Sequence, residues 1–365
     1  MEKRSSRNQK DPVLGLVRKF ICFFRNYRQW SNKTFIMVLL IVVAISMALT
    51  LLSEVIKGIP LVNSSVTTVS QSADSKEKTT VTEQETSARI MANGDLLYHD
   101  IIYISAKKAD GTYDFHENFE YVKPWLKQAD LVLGDFEGTV NKDHYLAGYP
   151  LFNAPGEVMD AIKDAGYQVL DLAHNHILDS QIEGVVSTAD AIEKAGMTPV
   201  GVYTHESRDK APLVIKEVNG IKVAILAYSY GFNGIEQNIS KEDYNRYLSD
   251  LDEDKMKAEI ERAEKEADIT VIMPQMGVEY QIEPTEEQKK LYHKMIDWGA
   301  DIIFGGHPHV VEPAETVEKD GDKKLIIYSM GNFISNQRIE TMQDVENAKW
   351  TERGVLMDVT IKKKS

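Results

Sequence analysis

Cysteine is almost missing from this sequence of 365 residues, because Cys22 is the only one. A single cysteine excludes an intrachain disulfide and argues against a structural zinc site built on several thiolates. The fold therefore has no covalent cross-link of its own. The hydrophobic content of 43% is ordinary for a protein with a packed core, which excludes a chain that is disordered throughout.

Basic residues are outnumbered by acidic ones in most of the chain but dominate its start. Residues 1–33 carry nine Lys or Arg against two acids, which gives this segment a charge of +7. Because the whole chain has a net charge of −14 and residues 34–52 are uncharged, residues 53–365 carry −21. A basic leader thus precedes an acidic body, and nucleic acid is not an expected partner of such a body.

The long apolar run of the sequence is TFIMVLLIVVAISMALTLL, residues 34–52. As a helix, this run would reach about 28 Å, close to the thickness of a hydrocarbon core. A cleaved signal peptide is the alternative, but the length of the run and of the leader before it favours an uncleaved transmembrane helix. The positive-inside rule then places residues 1–33 in the cytoplasm. The sequence predicts a single-pass protein of the cell membrane with an extracytoplasmic C-terminal domain.

Residues 53–87 are predicted to be a flexible extracytoplasmic linker, because most of them are Ser, Thr, Glu or Lys without apolar periodicity. From residue 88 to residue 365, short β-rich runs alternate with helical patterns, which predicts one α/β sandwich with substantially parallel strand pairing. Strands are predicted at 89–93, 130–134, 168–172, 222–228, 269–273, 301–305 and 324–329, and helices at 156–166, 184–196, 249–267 and 286–300.

Polar side chains follow six of these predicted strands at the points where the strands end. In open α/β sheets, ligands bind beyond the carboxyl ends of the strands, so these residues are predicted to meet in one site. Carboxylate, amide and imidazole ligands together suit Mn²⁺, Fe²⁺ or Zn²⁺, and such an ion favours hydrolysis of a phosphoester. The residues, in chain order, are Asp95, Asp135, Glu137, Asn175, His176, Gln275, His307, His309 and Asn332.

Each motif also has a simpler explanation. His307 and His309 could be an exposed pair on a loop, and Asp179 in HNHILD could cap a helix. Gly94-Asp95 and GDFEG could be ordinary turns after a strand. The order and spacing of all the motifs together favour a common site. The other histidines are predicted to be surface or core residues, namely His99, His116, His144, His205 and His293.

The motifs in their order resemble the bacterial capsule synthesis protein family called CapA or PgsA, from about residue 88 to about residue 360. The resemblance implies a calcineurin-like metallophosphoesterase fold, an N-terminal membrane anchor, and a role in synthesis or export of a poly-γ-glutamate capsule at the cell surface. The motifs that carry it are NGDLLYHD, DLVLGDFEG, VLDLAHNHILD, GIKVAILAYSY, MPQMGVEYQIEPTEEQ, GADIIFGGHPHVVEP and LIIYSMGNF.

The resemblance also implies roles for individual residues. It makes Asp95 and Glu137 metal carboxylates, Asn175 a metal amide, and His307 and His309 metal imidazoles. Asp135 or Glu137 could bridge two ions, and His176 would be the acid or the residue that faces a phosphate.

Two positions depart from the family pattern. Gln275 stands where the family has a histidine, so it would be an oxygen ligand and one of two metal positions would be weak. Leu97 stands where phosphoesterases commonly have another histidine.

Two functions are therefore predicted. The first is a membrane-anchored factor in synthesis or export of an anionic surface polymer, together with a synthase or exporter in the membrane. The second is a metal-dependent phosphoesterase that acts on a cell-envelope substrate. A polyanion should be repelled by a body of charge −21 unless a metal or a local basic patch intervenes.

Overall fold

The computed structural model describes residues 85–364, and the strands in that range form two six-stranded sheets. Strands of the first sheet are β1 (Glu85–Leu96), β2 (Leu131–Asp135), β3 (Val169–Asp171), β4 (Thr198–Val200), β11 (Asn332–Ile334) and β12 (Leu356–Lys364). The order β11-β1-β2-β3-β4 is parallel throughout, and β12 pairs antiparallel along β1.

The second sheet has a parallel centre and antiparallel edges. Its strands are β5 (Val214–Val218), β6 (Ile221–Ser229), β7 (Ile269–Gln275), β8 (Ile302–Phe304), β9 (Ala314–Lys319) and β10 (Asp322–Ile327). The order is β5-β6-β7-β8-β10-β9, in which β6, β7, β8 and β10 are parallel. The central strands read as nearly continuous apolar runs, which is typical of strands covered on both faces.

Seven α-helices are found in the described range, and the longer ones carry sequence signals at their ends. Thr285 and Gln288 form a capping box at the start of the helix Glu286–Trp298, and Asp252 accepts two backbone N–H groups at the start of the helix Glu253–Glu266. The helices are α1 (Asp100–Ser105), α2 (Lys123–Leu126), α3 (Val158–Ala165), α4 (Gln181–Lys194), α5 (Lys241–Tyr247), α6 (Glu253–Glu266) and α7 (Glu286–Trp298).

The two sheets pack face to face, with helices on both outer faces. Alternation along β1 sends Ile90 into the apolar cluster between the sheets, together with residues such as Met273 of β7. It sends Met91 into the cluster beneath α3 and α4, while α6 and α7 cover the second sheet. The result is a four-layer α/β/β/α sandwich.

The predicted α/β sandwich with largely parallel strands is confirmed. Every predicted strand and helix is present with its bounds shifted by a few residues; for example, β1 begins at Glu85, ahead of the predicted domain start at residue 88. The strands β4, β5, β9, β11 and β12 and the helices α1, α2 and α5 were not predicted.

Several predictions concern residues outside the described range. These are the basic leader (1–33), the transmembrane helix (34–52) and residues 53–84 of the linker, which was predicted over residues 53–87. Within residues 85–364, no helix combines the length and the apolar content needed to cross a membrane.

Candidate metal centre

Four polar residues stand side by side at the carboxyl end of the first sheet. The parallel register pairs Asn332 with Asp95, Asp95 with Asp135, and Asp135 with Asp171. All four are buried, with at most 5% of their surface exposed. Because parallel strands end at the same edge of a sheet, the three aspartates meet here, and the register with β1 places Asn332, the first residue of β11, beside Asp95.

The second sheet reaches the same place through Gln275 and Gly306. Gln275 is the last residue of β7, and an isolated β-bridge pairs it with Gly306, which follows β8. A Cβ atom on Gly306 would lie 3.2 Å from Asp135 Oδ2 and 3.5 Å from Asp95 Oδ1. A glycine at this position therefore lets the loop after β8 approach the carboxylates of the first sheet.

His307 and His309 lie in this loop with a strained backbone. Their φ angles are 95° and 60°, a region that residues other than glycine rarely adopt. The loop is held by neighbouring chain segments, because Tyr280 N donates to Pro308 O at 2.8 Å and Met276 N donates to Gly306 O at 3.2 Å. Strain that is fixed by its surroundings is typical of functional sites. Both histidines are buried, which excludes an exposed surface pair.

Asp95, Glu137 and His309 form the tightest group of potential metal ligands in the described range, and we call this trio the metal cluster. Their ligand atoms all lie within 4.8 Å of one another. His309 Nδ1 is 2.8 Å from Asp95 Oδ2 and 3.8 Å from Glu137 Oε2. The same nitrogen is 3.1 Å from Asn332 Oδ1.

Several buried polar atoms around the metal cluster have no hydrogen-bond partner among the described residues. An unpaired buried carboxylate is costly unless a cation meets it. Oxygen and nitrogen donors of this kind suit a divalent ion, so the residues present fit the metal that the sequence predicts. The atoms are Asp95 Oδ1, Asp135 Oδ1, both carboxylate oxygens of Glu137, Asn175 Oδ1 and His307 Nδ1.

Burial and mutual repulsion shift the pKa values of these groups. Burial, with repulsion from Asp171 and Asp95, raises the pKa of Asp135 well above its usual value. Burial also raises the pKa of Glu137 to about 7. For His309, burial opposes protonation, but the carboxylates of Glu137 and Asp95 raise its pKa to about 9. Burial lowers the pKa of His307 to about 3, so this imidazole is neutral, as a metal ligand must be.

These shifts predict that Glu137 and His309 stabilise the metal-free protein more at pH 5 than at pH 8.5, while His307, whose pKa is lowered, acts in the opposite sense. The pKa values of Glu137 and His309 are raised to about 7 and about 9, so folding takes up protons at both groups. Stability from this source is lost as the pH rises from about 4.5 to about 9. A divalent ion replaces those protons, so Mn²⁺ should raise Tm by roughly 5 °C more at pH 8.5 than at pH 5.

Thermal unfolding at the two pH values, with and without Mn²⁺, measures this difference. Glu137→Gln is the matched control, because it removes one of the titrating groups with little change of shape, and the pH dependence should become weaker. An equal gain in Tm from Mn²⁺ at both pH values would contradict the assignment.

His176 is paired with Asp179 beside the metal cluster. His176 Nδ1 lies 2.7 Å from Asp179 Oδ2, which also accepts from Phe152 N at 2.6 Å. Although burial opposes protonation, this carboxylate and that of Glu137 raise the pKa of His176. α4 begins after Ser180, so Asp179 does not cap it as the alternative explanation suggested. The pair fixes the imidazole and leaves Nε2 as its second nitrogen for a ligand.

The side chain of Gln275 is hydrogen-bonded to the backbone of Asn175. Its Oε1 accepts a hydrogen bond from Asn175 N at 2.9 Å, and its Nε2 has no partner among the described residues. A backbone N–H can only donate, so this contact fixes which end of the amide faces Asn175. Asn175 Nδ2 donates to Asn233 Oδ1 at 3.2 Å, which leaves Asn175 Oδ1 unpaired. Ligation of a metal by Gln275 stays a prediction.

A cavity of about 600 Å³ opens over this arrangement. Its volume is in the range of small-molecule sites. Asn175, His176 and His309 line it together with residues of five other chain segments: Leu97, His99, Tyr149, Pro150, Leu151, Phe152, Asn233, Ile235, Glu279, Tyr280, Asn336, Gln337, Thr341, Met342 and Val345.

The remaining histidines differ in their surroundings. His99 lies in the cavity wall, where its Nδ1 accepts from Asn336 N at 3.2 Å, and it is not part of the metal cluster. His174 is fully buried and its Nδ1 accepts from His176 N at 3.2 Å, so it holds the loop rather than facing a ligand. His116, His205 and His293 are paired with carboxylates at the exposed surface.

Sequence reasoning missed Asp171 and the positioning role of Asp179. Asp171 closes β3 just as Asp135 closes β2, so alignment of the predicted parallel strand ends could have identified it. The contact of Asp179 with Phe152 depends on a loop that no sequence pattern places.

Comparison with known proteins identifies relatives. Residues 89–337 match a family described as "Bacterial capsule synthesis protein PGA_cap". Capsule biosynthesis protein CapA of Bacillus anthracis is 34% identical over 228 residues, which cover 60% of this chain and 54% of that protein. PGA biosynthesis protein CapA of Bacillus subtilis (strain 168) is 32% identical over 223 residues, which cover 60% of this chain and 57% of that protein. The chain thus spans a little over half the length of these curated relatives.

A solved structure also resembles the fold at low sequence identity. It is a putative 5′-nucleotidase from Staphylococcus aureus in complex with alpha-ketoglutarate. The TM-score is 0.45 and the sequence identity is 14%, over 68% of this chain and 49% of that one.

Proposed function

This chain belongs to the bacterial capsule synthesis protein family. On that basis, we propose that it is a metal-dependent protein that acts in the synthesis or export of an anionic surface polymer of the poly-γ-glutamate type. One observation carries the proposal. The buried metal cluster, with its unpartnered oxygens, lies where a cavity of ligand size opens. A cation there would give this acidic domain a positive centre that attracts an acidic group.

In this proposal, Asp95, Glu137 and His309 hold a divalent ion, either Mn²⁺, Fe²⁺ or Zn²⁺. Asp135, Asn175 and His307 supply further donors, and Asn332 Oδ1 lies 3.1 Å from His309 Nδ1. The ion supplies a Lewis acid for a carboxylate or phosphoryl oxygen. Gln275 holds the backbone of Asn175 and thereby keeps the Asn175 side chain at the cavity.

A metallophosphoesterase is the second candidate, favoured by the His176–Asp179 pair. Asp179 holds a proton on His176 Nδ1, and His176 Nε2 can donate a second proton to a leaving oxygen. This candidate requires that His176 meet a substrate, and His176 lines the cavity. The four-layer sandwich suits the metallophosphoesterase-like fold that the sequence predicts.

One pair of assays on the full chain in detergent separates the two functions. We expect Mn²⁺-dependent binding of a γ-linked glutamate oligomer if the protein acts in polymer assembly. Mn²⁺-dependent hydrolysis of bis(p-nitrophenyl) phosphate that is lost in His176→Ala would instead identify a phosphoesterase. If Mn²⁺ produced neither binding nor hydrolysis, the metal-dependent function would be wrong.

The location that we propose is the outer side of the cell membrane, with residues 34–52 as a single-pass anchor and residues 53–84 as a tether. The supporting observation is the +7 leader ahead of an uncharged apolar run. A polymer synthase or exporter in the same membrane would then be within reach of the domain.

Thiol labelling of intact cells tests this topology. A Ser64→Cys substitution in a Cys22→Ser background should react with a membrane-impermeant maleimide, because residue 64 follows the anchor. The native Cys22 should be protected, because it precedes the anchor. Labelling of Cys22 without labelling at position 64 would reverse the proposed orientation.

A further inference from the structure

Part of the wall of the cavity over the metal cluster is apolar and aromatic. Leu97, Phe152, Ile235 and Met342 contribute apolar surface, and the Tyr149 ring stands at the mouth with 80% of its surface exposed. Such walls suit an uncharged part of a ligand, because they offer apolar contact and no countercharge.

Tyr280 makes one of these walls rigid. Its amide donates to Pro308 O at 2.8 Å, and its carbonyl accepts from Asn347 Nδ2 at 3.0 Å. Its hydroxyl accepts from Gln337 Nε2 at 3.3 Å, and its ring lies stacked at 6.0 Å from that of His309. The wall next to the metal cluster is therefore formed in advance and does not need to be ordered by a ligand.

The charge of the cavity is one-sided. No lysine or arginine is among the described residues that line it. Glu279 does line it, and its carboxylate is exposed. Arg338 lines a separate cavity, where it is accompanied by Glu340 and Glu352. A bound cation at the metal cluster would thus be the main positive centre that a ligand inside the cavity could meet.

Resting on the proposed function, we propose that the cavity takes a ligand with one acidic group at the metal cluster and an uncharged body against the walls. A second acidic group inside the cavity would lose water and would be repelled by Glu279, and the imidazole of His176 that it could meet is already paired with Asp179. A polymer of repeated acids would consequently enter by one end, with a single acidic unit inside and its other charges beyond the mouth.

Two phosphonates of nearly equal shape test this selectivity on the full chain in detergent, loaded with Mn²⁺. The probes are 4-carbamoylphenylphosphonate and 4-carboxyphenylphosphonate. They differ by one charge, at the ring position opposite the phosphonate. We expect calorimetry to give a Kd at least tenfold larger for the carboxy compound. Glu279→Gln should reduce this ratio, and Glu279→Lys should reverse it. Glu120→Lys, the same charge change at an exposed position outside the cavity, should leave the ratio unchanged.

The outcomes separate this inference from the function on which it rests. If both phosphonates bind in a Mn²⁺-dependent way with equal Kd, the selectivity is wrong and the metal-dependent function stands. The same holds if Glu120→Lys changes the ratio as much as Glu279→Lys does. If neither phosphonate binds, or if binding does not need Mn²⁺, the proposed function fails and the selectivity fails with it.

Discussion

A variant with His307→Ala and His309→Ala is expected to bind divalent cations at least about 100-fold more weakly than the wild type. His309 belongs to the metal cluster, and His307 offers a neutral imidazole with an unpartnered Nδ1. Both side chains are buried, so their removal should also affect stability. The metal-free variant should lose about 2–4 kcal/mol in the free energy of unfolding, yet still unfold cooperatively.

The matched control is His205→Ala with His293→Ala, which removes two exposed histidines that pair with Glu193 and Glu315. Its cation affinity should equal that of the wild type. Calorimetric titration with Mn²⁺ measures both variants, and circular dichroism during thermal unfolding checks the fold. Unchanged affinity in the His307/His309 variant would refute the ligand assignment, and loss of cooperative unfolding would show a structural role instead.

Gln275→His is expected to create a second cation site, with the metal content rising from about one to about two ions per chain. Asn175 Oδ1, His307 Nδ1 and Asp135 Oδ1 are unpartnered donors of the same site, and an imidazole at position 275 would add a nitrogen. The added imidazole must be neutral to bind, so the gain should fade below pH ~6.5. Any phosphoesterase activity should rise with the second ion.

Gln275→Ala is the control for this gain. It removes the acceptor for Asn175 N, as the histidine variant can also do, but it adds no nitrogen ligand. We expect no second ion in Gln275→Ala, measured by elemental analysis after removal of free metal. If Gln275→His also binds no additional ion, position 275 does not face the metal.

The sequence predicted most of the core of this fold, because its central strands are apolar runs flanked by amphipathic helices. It did not predict the edges. β4 has only the three residues Thr198–Val200, too few for an apolar pattern, and β12 alternates Met357, Val359 and Ile361 with polar residues before it ends in three lysines. β12 is a strand because β1 offers it a partner along nine residue pairs, which is a tertiary effect.

The candidate site was predictable where residues close a strand and unpredictable where they depend on contacts between loops. Asp95 and Asp135 were found from the strand ends that precede them, and the register of the sheet places them side by side. The hydrogen bond from Asn175 N to Gln275 joins a residue that follows β3 to the last residue of β7, which belongs to the other sheet. No pattern within either segment could indicate that contact.

Metal content of the purified full-length protein tests the central proposal most directly. The wild type and Glu137→Gln are each incubated in detergent with Mn²⁺ at pH 8, freed of unbound ion, and analysed for metal per chain. We expect about one ion in the wild type and close to none in Glu137→Gln, because the substitution removes the carboxylate whose two oxygens lack partners. No bound ion in the wild type, or equal content in both proteins, would contradict a metal centre at Asp95, Glu137 and His309.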